Sequence, residues 1–289
     1  MLQIIKIWLA LSIIVTCGFS CSPVPENQLS KPNPIILSAA SFITQTKPSS
    51  EKITTANPAH PISPPKVVSK IFSNIEFQGV AFDSRSHALC PVDQSKGPGS
   101  EYFGARDCAN KQHALLAINA GFFTPEGNPL GLVISHGKRS GSWNSSSSLG
   151  TGIYRIDSSG TASIKRRSQS SAVSNSKELL QAGPLLVENQ KPINGLDPSK
   201  VAMRSILVHD GGNRWWIGTT SPCSLAELSR ALSTQSPAGW QISQALNLDG
   251  GRSTDLFVSS ESSGGPLEIK SIMNRQVRNF LILKPRSGF

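Results

Sequence analysis

The spacing of apolar and polar positions changes several times along the chain, and each change predicts an element. Residues 7–15 (Ile-Trp-Leu-Ala-Leu-Ser-Ile-Ile-Val) form one short apolar stretch behind Lys6. From Lys70 onward, short apolar runs alternate with turn residues, which is a strand pattern. Ile75–Phe82 reads as a first strand, and Ala114–Asn119, bounded by a turn, reads as a buried one. Further strands are expected at 130–135, 151–157, 184–188, 203–209, 213–218, 244–248, 254–258, 267–272 and 277–284. A short helix is expected over 101–113. The clearest helix begins near Ser224, where Ser224-x-x-Glu227 has capping-box spacing and Leu225, Leu228 and Leu232 share one face. The Gly-, Pro- and Ser-rich segments 91–100, 140–150 and 157–176 read as loops. Many strands with few helices predict an α+β fold, a single domain over 70–289 with a mixed β-sheet core and a few packing helices. A disordered tether is expected before it.

The N-terminal run is too short to span a bilayer, which takes roughly 20 apolar residues. It fits an export signal over residues 1–20. Cys21, after Ser20 at the end of the run, has the place of a lipidated lipoprotein cysteine, and Cys17 is a second candidate. Plain secretion and an uncleaved anchor are the other outcomes, and all three export the domain. Residues 22–69 hold nine of the 20 prolines and eight serines. Such a composition buries too little apolar surface to offset chain entropy. It predicts a flexible linker over 21–69, lifting the domain off a membrane.

Composition narrows the class. Charged residues are only 16% of the 289, so a long charged coiled coil is excluded, and a single apolar stretch excludes a many-span membrane protein. The formal charge is +10, spread along the chain except for Lys165-Arg-Arg167. That run lacks interleaved aromatics and reads as a solvated loop, so no nucleic-acid partner is expected. Contact with a membrane is expected only through an N-terminal lipid. Of the three cysteines within the domain, Cys90 and Cys108 are the nearest pair, and an oxidising compartment would permit a disulfide between them. No Cys or His spacing matches a metal site, and the five His are scattered. No cofactor is expected, although Asp and Asn oxygens near a phosphate are compatible with Ca²⁺ or Mg²⁺.

Three constellations carry candidate chemistry. In Ala117-Ile-Asn119-Ala-Gly121-Phe122-Phe123, a buried strand ends in a polar residue, a glycine able to take positive φ, and two aromatics. In Ala245-Leu-Asn247-Leu-Asp249-Gly250-Gly251-Arg252-Ser253-Thr254, a carboxylate ends an apolar strand before a Gly-Gly turn whose amides could cradle an anion. In Met203-Arg204-Ser205-Ile-Leu-Val208, a guanidinium beside a core strand needs an anionic partner, either a structural carboxylate or a phosphate.

In this order, the segments resemble the phosphodiester glycosidase family. The resemblance covers roughly residues 70–285. It runs through Asn119–Phe123, Pro129-Leu-Gly-Leu132, Gly183-Pro-Leu-Leu-Val187 and Arg204-Ser205. It continues through Ser224-Leu-Ala-Glu-Leu228, Ala245–Gly251 and Val277-Arg-Asn-Phe-Leu281. Two departures stand out. Arg252-Ser253-Thr254 replaces a third Gly and Ser-Ser, and Met203-Arg204-Ser205 replaces Pro-Arg-Thr.

The resemblance implies hydrolysis of a sugar-1-phosphodiester, with a sugar-phosphate or polysaccharide as partner. A phosphate leaving group is a weak base, so holding its charge matters more than protonating it. On that view Asp249 faces the anomeric centre, Arg204 grips phosphate and Asn119 binds a sugar hydroxyl or orients water. Gly121, Phe122, Phe123, Gly250, Gly251, Arg252 and Ser253 would line the site. Glu126, Asp210 and Asp255 are candidates for a second carboxylate, with Asp210-Gly-Gly212 also readable as a hairpin turn. The competing class is a non-catalytic carbohydrate-binding or envelope-assembly lipoprotein. A serine hydrolase is disfavoured by the lack of a Gly-x-Ser-x-Gly motif.

Overall fold

The computed structural model describes residues 64–169 and 175–286. The export signal and most of the tether expected above lie outside the described residues. Three antiparallel sheets make the frame. The first has seven strands: β1 (Lys66–Phe72), β2 (Ile75–Asp83), β10 (Leu185–Glu188), β11 (Lys191–Pro192), β12 (Ala202–His209), β13 (Arg214–Cys223) and β14 (Gln244–Asn247). Their order is β1-β2-β13-β12-β14-β10-β11. The second sheet combines β3 (His87–Asp93), β4 (Leu116–Asn119), β15 (Asp255–Val258), β16 (Leu267–Lys270) and β17 (Asn279–Pro285) in the order β16-β15-β4-β17-β3. The third combines β5 (Val133–Ser135), β6 (Lys138–Ser140), β7 (Gly152–Asp157), β8 (Ala162–Arg166) and β9 (Ser176–Ala182) in the order β6-β5-β9-β7-β8. With helices α1 (Ala105–Gln112) and α2 (Leu225–Thr234), this is an α+β domain. Where a mixed sheet was expected, the ladders between these strands are antiparallel, and Lys66–Ser263 adds one isolated parallel bridge. Strand β1 begins at Lys66 and so takes in residues 66–69, read above as linker.

Strand alternation explains where the apolar side chains go. Val80 and Phe82 of β2 and Trp215 and Ile217 of β13 turn toward a main core that also receives β4, β15 and β17 of the second sheet and Tyr154, Ile164 and Leu180 of the third. The opposite face of the first sheet, with Phe77, Val208 and Trp216, packs on α2 through Leu228 and Leu232. Burying each of those leucines contributes roughly 1.5–3 kcal/mol. The Ser224–Glu227 capping box forms as the spacing predicts, with both of its reciprocal bonds.

Gly79 of β2 and Gly218 of β13 face each other across the ladder, and the Trp216 ring fills the space a side chain would occupy. A Cβ at Gly79 would collide with the Ile217 carbonyl and lie 2.7 Å from that ring. Gly79→Ala is therefore expected to lower stability by roughly 2–3 kcal/mol. A urea titration checks this: the midpoint should fall at unchanged slope.

The three domain cysteines, Cys90, Cys108 and Cys223, are buried free thiols, so no Cys90–Cys108 disulfide is present. Both of those thiols sit in the main core as small apolar residues, and burial pushes each up to about 12.

Candidate active site

Four chain segments meet at one end of the first two sheets. Strand β4 delivers Asn119 and runs on into Ala120-Gly-Phe-Phe123. Strand β14 runs on into Leu248-Asp249 and a short 3₁₀ turn at Gly251–Ser253. The loop between β16 and β17 brings Arg275, and β17 begins with Asn279. Backbone bonds tie these pieces together. The Asp249 N–H donates to Ala120 O at 2.8 Å, Leu248 N–H to Ser205 O at 2.9 Å, and Arg275 N–H to Arg252 O at 2.9 Å.

Asp249 is the centre of the cluster. It is only 4% exposed. Its Oδ1 accepts from its neighbour's amide, Gly250 N–H, at 2.9 Å, and its Oδ2 lies 3.4 Å from Arg275 Nη2. Arg275 Nε also donates to Ser253 Oγ at 2.9 Å, and Ser253 in turn bonds the Asp249 carboxyl. The guanidinium lies 4.5 Å from the centre of the Phe123 ring. Burial pushes the Asp249 carboxyl above the ordinary aspartate range, while Ser253, Arg275 and the Gly250 amide pull it back down. The Arg275 side chain is 45% exposed, so the pair has one buried and one solvent-facing member.

The structure brings Asn119, Gly121, Phe123 and Gly250–Ser253 to Asp249, but gives several of them other work than expected. Asn119 is fully buried with its amide committed. Its Nδ2 donates to the Asp249 carbonyl, and its Oδ1 accepts from Ser205 Oγ at 2.8 Å and Asp255 N–H at 3.0 Å. It therefore holds Asp249 in place and is not turned toward a substrate. Gly121 does not take positive φ; it is there for close packing, with Leu180 and the Asn279 amide against its Cα. Its N–H donates to Asn279 Oδ1 at 2.6 Å, and Asn279 Nδ2 has no acceptor among the described residues. The positive φ falls at Gly251 (60°). Gly250 N–H is taken by Asp249, so it is not available to a phosphate. Arg252 is exposed, with Nε donating to Met273 O at 3.3 Å. Phe122 is half-buried beside Phe123.

Arg204 is the clear correction. It does not reach Asp249. Its neighbour Ser205 turns inward to Asn119, so alternation along β12 sends Arg204 to the other face of the sheet. There Nε donates to Cys223 O at 3.0 Å and Nη2 to Lys200 O. Those two carbonyls hold the guanidinium there, with Asp197 acting on it electrostatically. The arginine that does stand beside the carboxylate, Arg275, was missed because it lies in a loop without a motif. The available signal was that this loop joins β16 to the terminal strand, and so returns to the end of β4.

A model of the phosphodiester glycosidase family matches residues 112–284, which takes in every segment of this cluster. The chain belongs to the phosphodiester glycosidase family. No curated protein matches the sequence of this family member. Among solved structures it is similar to the catalytic domain of zebrafish N-acetylglucosamine-1-phosphodiester alpha-N-acetylglucosaminidase, auto-inhibited by its pro-peptide. The TM-score is 0.57 at 16% identity, covering 80% of this chain and 86% of that one. It is also similar to a hypothetical protein from Synechocystis (TM-score 0.48, 19% identity, 79% of this chain and 64% of that one). At 16% identity the likeness to the zebrafish catalytic domain concerns the fold.

The other carboxylates of this phosphodiester glycosidase family member stand apart from the cluster or behind it. Asp210 closes the β12–β13 hairpin by accepting Gly212 N–H at 2.7 Å and pairing with Arg214, also at 2.7 Å. Glu126 is an exposed turn residue whose carboxyl is held low by Thr124. Asp255 is buried and caps α1 through Ala105 N–H at 3.0 Å, with Lys270 at 3.5 Å; burial still pushes its carboxyl up. Among the described residues, no three His, Cys, Asp or Glu side chains gather as a metal-binding group, and no helix is long and apolar enough to cross a membrane.

Proposed function

We propose that this protein hydrolyses the anomeric C–O bond of a sugar-1-phosphodiester, with Asp249 facing the sugar and Arg275 receiving the phosphate. One observation supports the reading above others. A buried carboxylate and a half-exposed guanidinium lie together on segments matched by the phosphodiester glycosidase family.

The chemistry follows from charge. As the C1–O bond lengthens, its electron pair stays on the phosphate oxygen, and positive charge develops at C1. Arg275 meets the first charge and the Asp249 carboxylate the second. Water adds to C1 and gives its proton to Asp249, from which it passes to solvent. The products are a free sugar and a phosphate monoester. A second carboxylic acid, which ordinary glycosidases use on the leaving oxygen, is dispensable for a leaving group this weakly basic. A phosphate that engages Arg275 also competes with Asp249 for the guanidinium, leaving the carboxylate free to face the sugar. Phe122 and Phe123 form the apolar wall on which the ring can rest.

Turnover of UDP-N-acetylglucosamine in ¹⁸O water tests the reading, because it reports which bond breaks. The expected product is N-acetylglucosamine carrying the label at C1. Label in the phosphate would replace this reading with phosphodiester P–O cleavage. Binding of sugar phosphodiester without turnover would favour a non-catalytic carbohydrate-binding protein. Arg275→Gln gives a further check. The cation lowers the Asp249 pKa, so its loss raises that pKa and shifts the acid limb of the pH–rate profile to higher pH, with an increased KM.

We also propose that the substrate is a surface, exopolysaccharide or cell-envelope glycan reached after export. The apolar run at 7–15 and Cys21 support this. Mass spectrometry of the chain recovered from cells checks it: a chain still starting at Met1 would count against export by cleavage.

A further inference from the structure

Large apolar side chains left in solvent gather on the segments around the Asp249 turn. Five such side chains are more than half exposed among the described residues: Ile71, Phe103, Val201, Ile272 and Met273. Three of them, Val201, Ile272 and Met273, stand on segments that touch the site. Ile272 and Met273 form the tip of a turn closed by Asn274 N–H donating to Ser271 O at 3.0 Å. That turn is fastened to the site by Asn274 Nδ2 on Thr254 O and by Arg252 Nε on Met273 O. Val201 precedes Ala202, whose methyl abuts Gly251. Phe103, 72% exposed, precedes Gly104, which lies beside Lys270 Nζ.

Turn tips ordinarily carry Gly, Asn, Asp, Pro or Ser. An Ile with its whole side chain in water, followed by a Met 67% exposed, gains nothing for the fold from that position. The charges on the loop itself are one-sided. Residues 270–278 contain Lys270, Arg275 and Arg278 and no carboxylate. Arg278 is buried against Asp93, but Lys270 and Arg275 are partly solvent-facing, and Arg252 adds a third exposed cation. Of the acids near them, Asp249 and Asp255 are buried, Glu268 is paired with Arg106, and Glu101, in the loop that packs on Gln276, is exposed. Apolar side chains projecting from a cationic rim are complementary to an anionic lipid surface, where the chains enter the acyl boundary and the cations face the headgroups.

We propose that the 271–274 turn docks the rim of the site on an anionic lipid bilayer. Docking places the Asp249–Arg275 cluster at the membrane surface, within reach of sugar phosphodiesters displayed there. It rests on the exposed turn and its charges, and needs no turnover, so it stands or falls separately from the proposed reaction.

Tryptophan quenching tests it in the full chain. Ile272→Trp places a reporter at the tip, and the wild type supplies the background of five native tryptophans. Vesicles of phosphatidylglycerol and phosphatidylcholine carry brominated acyl chains. Attachment through the N-terminal residues is common to all variants, so the reporter reads only which face meets lipid. The added emission should fall by roughly half, as for a side chain held about 5–10 Å into the headgroup boundary. Quenching should be absent on pure phosphatidylcholine and should weaken at about 1 M salt. Asn213→Trp, in the hairpin at the far end of β12, should stay unquenched. Added emission from the Ile272→Trp variant that is unchanged on anionic vesicles, or quenched no more than that of the Asn213→Trp variant, overturns the proposal.

Discussion

Asp249→Asn is expected to abolish sugar release while leaving the protein folded and, at neutral pH, at least as stable as the wild type. The loss should be about 10²–10⁴-fold in kcat, the range for removing a group that takes the proton of the attacking nucleophile. The stability expectation follows from the direction of the pKa shift. Burial raises the Asp249 pKa in the folded state above its unfolded value. The native form therefore holds the proton more tightly, and ionising Asp249 costs stability. That cost appears as pH rises through the unfolded value and is complete above the folded one. Neutral Asn does not incur it, and its oxygen can still accept from Gly250 N–H. Thermal melting at pH 7 beside a sugar-release assay measures both sides. A variant that keeps its activity would remove Asp249 from the chemistry, and one that melts well below the wild type would overturn the stability expectation. Such a separation of activity from stability is typical of a site whose charge is held against the preference of the fold.

Asn119→Ala is expected to do the reverse and damage the frame. The amide holds the Asp249 carbonyl, the Ser205 hydroxyl and the Asp255 N–H, all buried. Alanine leaves those three groups without their partner, at a cost of about 3–5 kcal/mol. For a domain of this size that lowers Tm by roughly 10 °C. Activity should fall as well, because Asp249 loses its tether, and the fall should deepen as temperature rises. A Tm within a degree or so of wild type would show that the network is not the support described above.

Much of the frame could be read from the chain because period-2 apolar runs ended at turn residues. Strands β2, β4, β7, β12, β13, β14, β15 and β17 lie where those runs predict. The failures have specific causes. Strand β9, Ser-Lys-Glu-Leu-Leu-Gln-Ala, consists largely of good helix formers, and its place between β5 and β7 overrides that preference. Strand β3 contains Pro91, which argues against a central strand, and the structure places it at a sheet edge where a missing N–H is tolerated. Strand β8 is short and polar, another edge. The site was legible wherever a strand ended in a polar residue before glycines, as at Asn119 and Asp249. Arg204 misled because Ile206, Leu207 and Val208 are buried on both faces of β12, so the run did not reveal which face the arginine would take. Arg275 joins the site only through the return of the loop after β16, which is a property of the topology and not of local pattern.

The three thiols inside the domain bear on where it can mature. With Cys90 and Cys108 held as neutral thiols in the core and Cys223 buried too, no sulfur–sulfur bond has to form before the domain reaches its native state. Its assembly is thus indifferent to the supply of oxidant, and refolding yield should be the same with and without dithiothreitol.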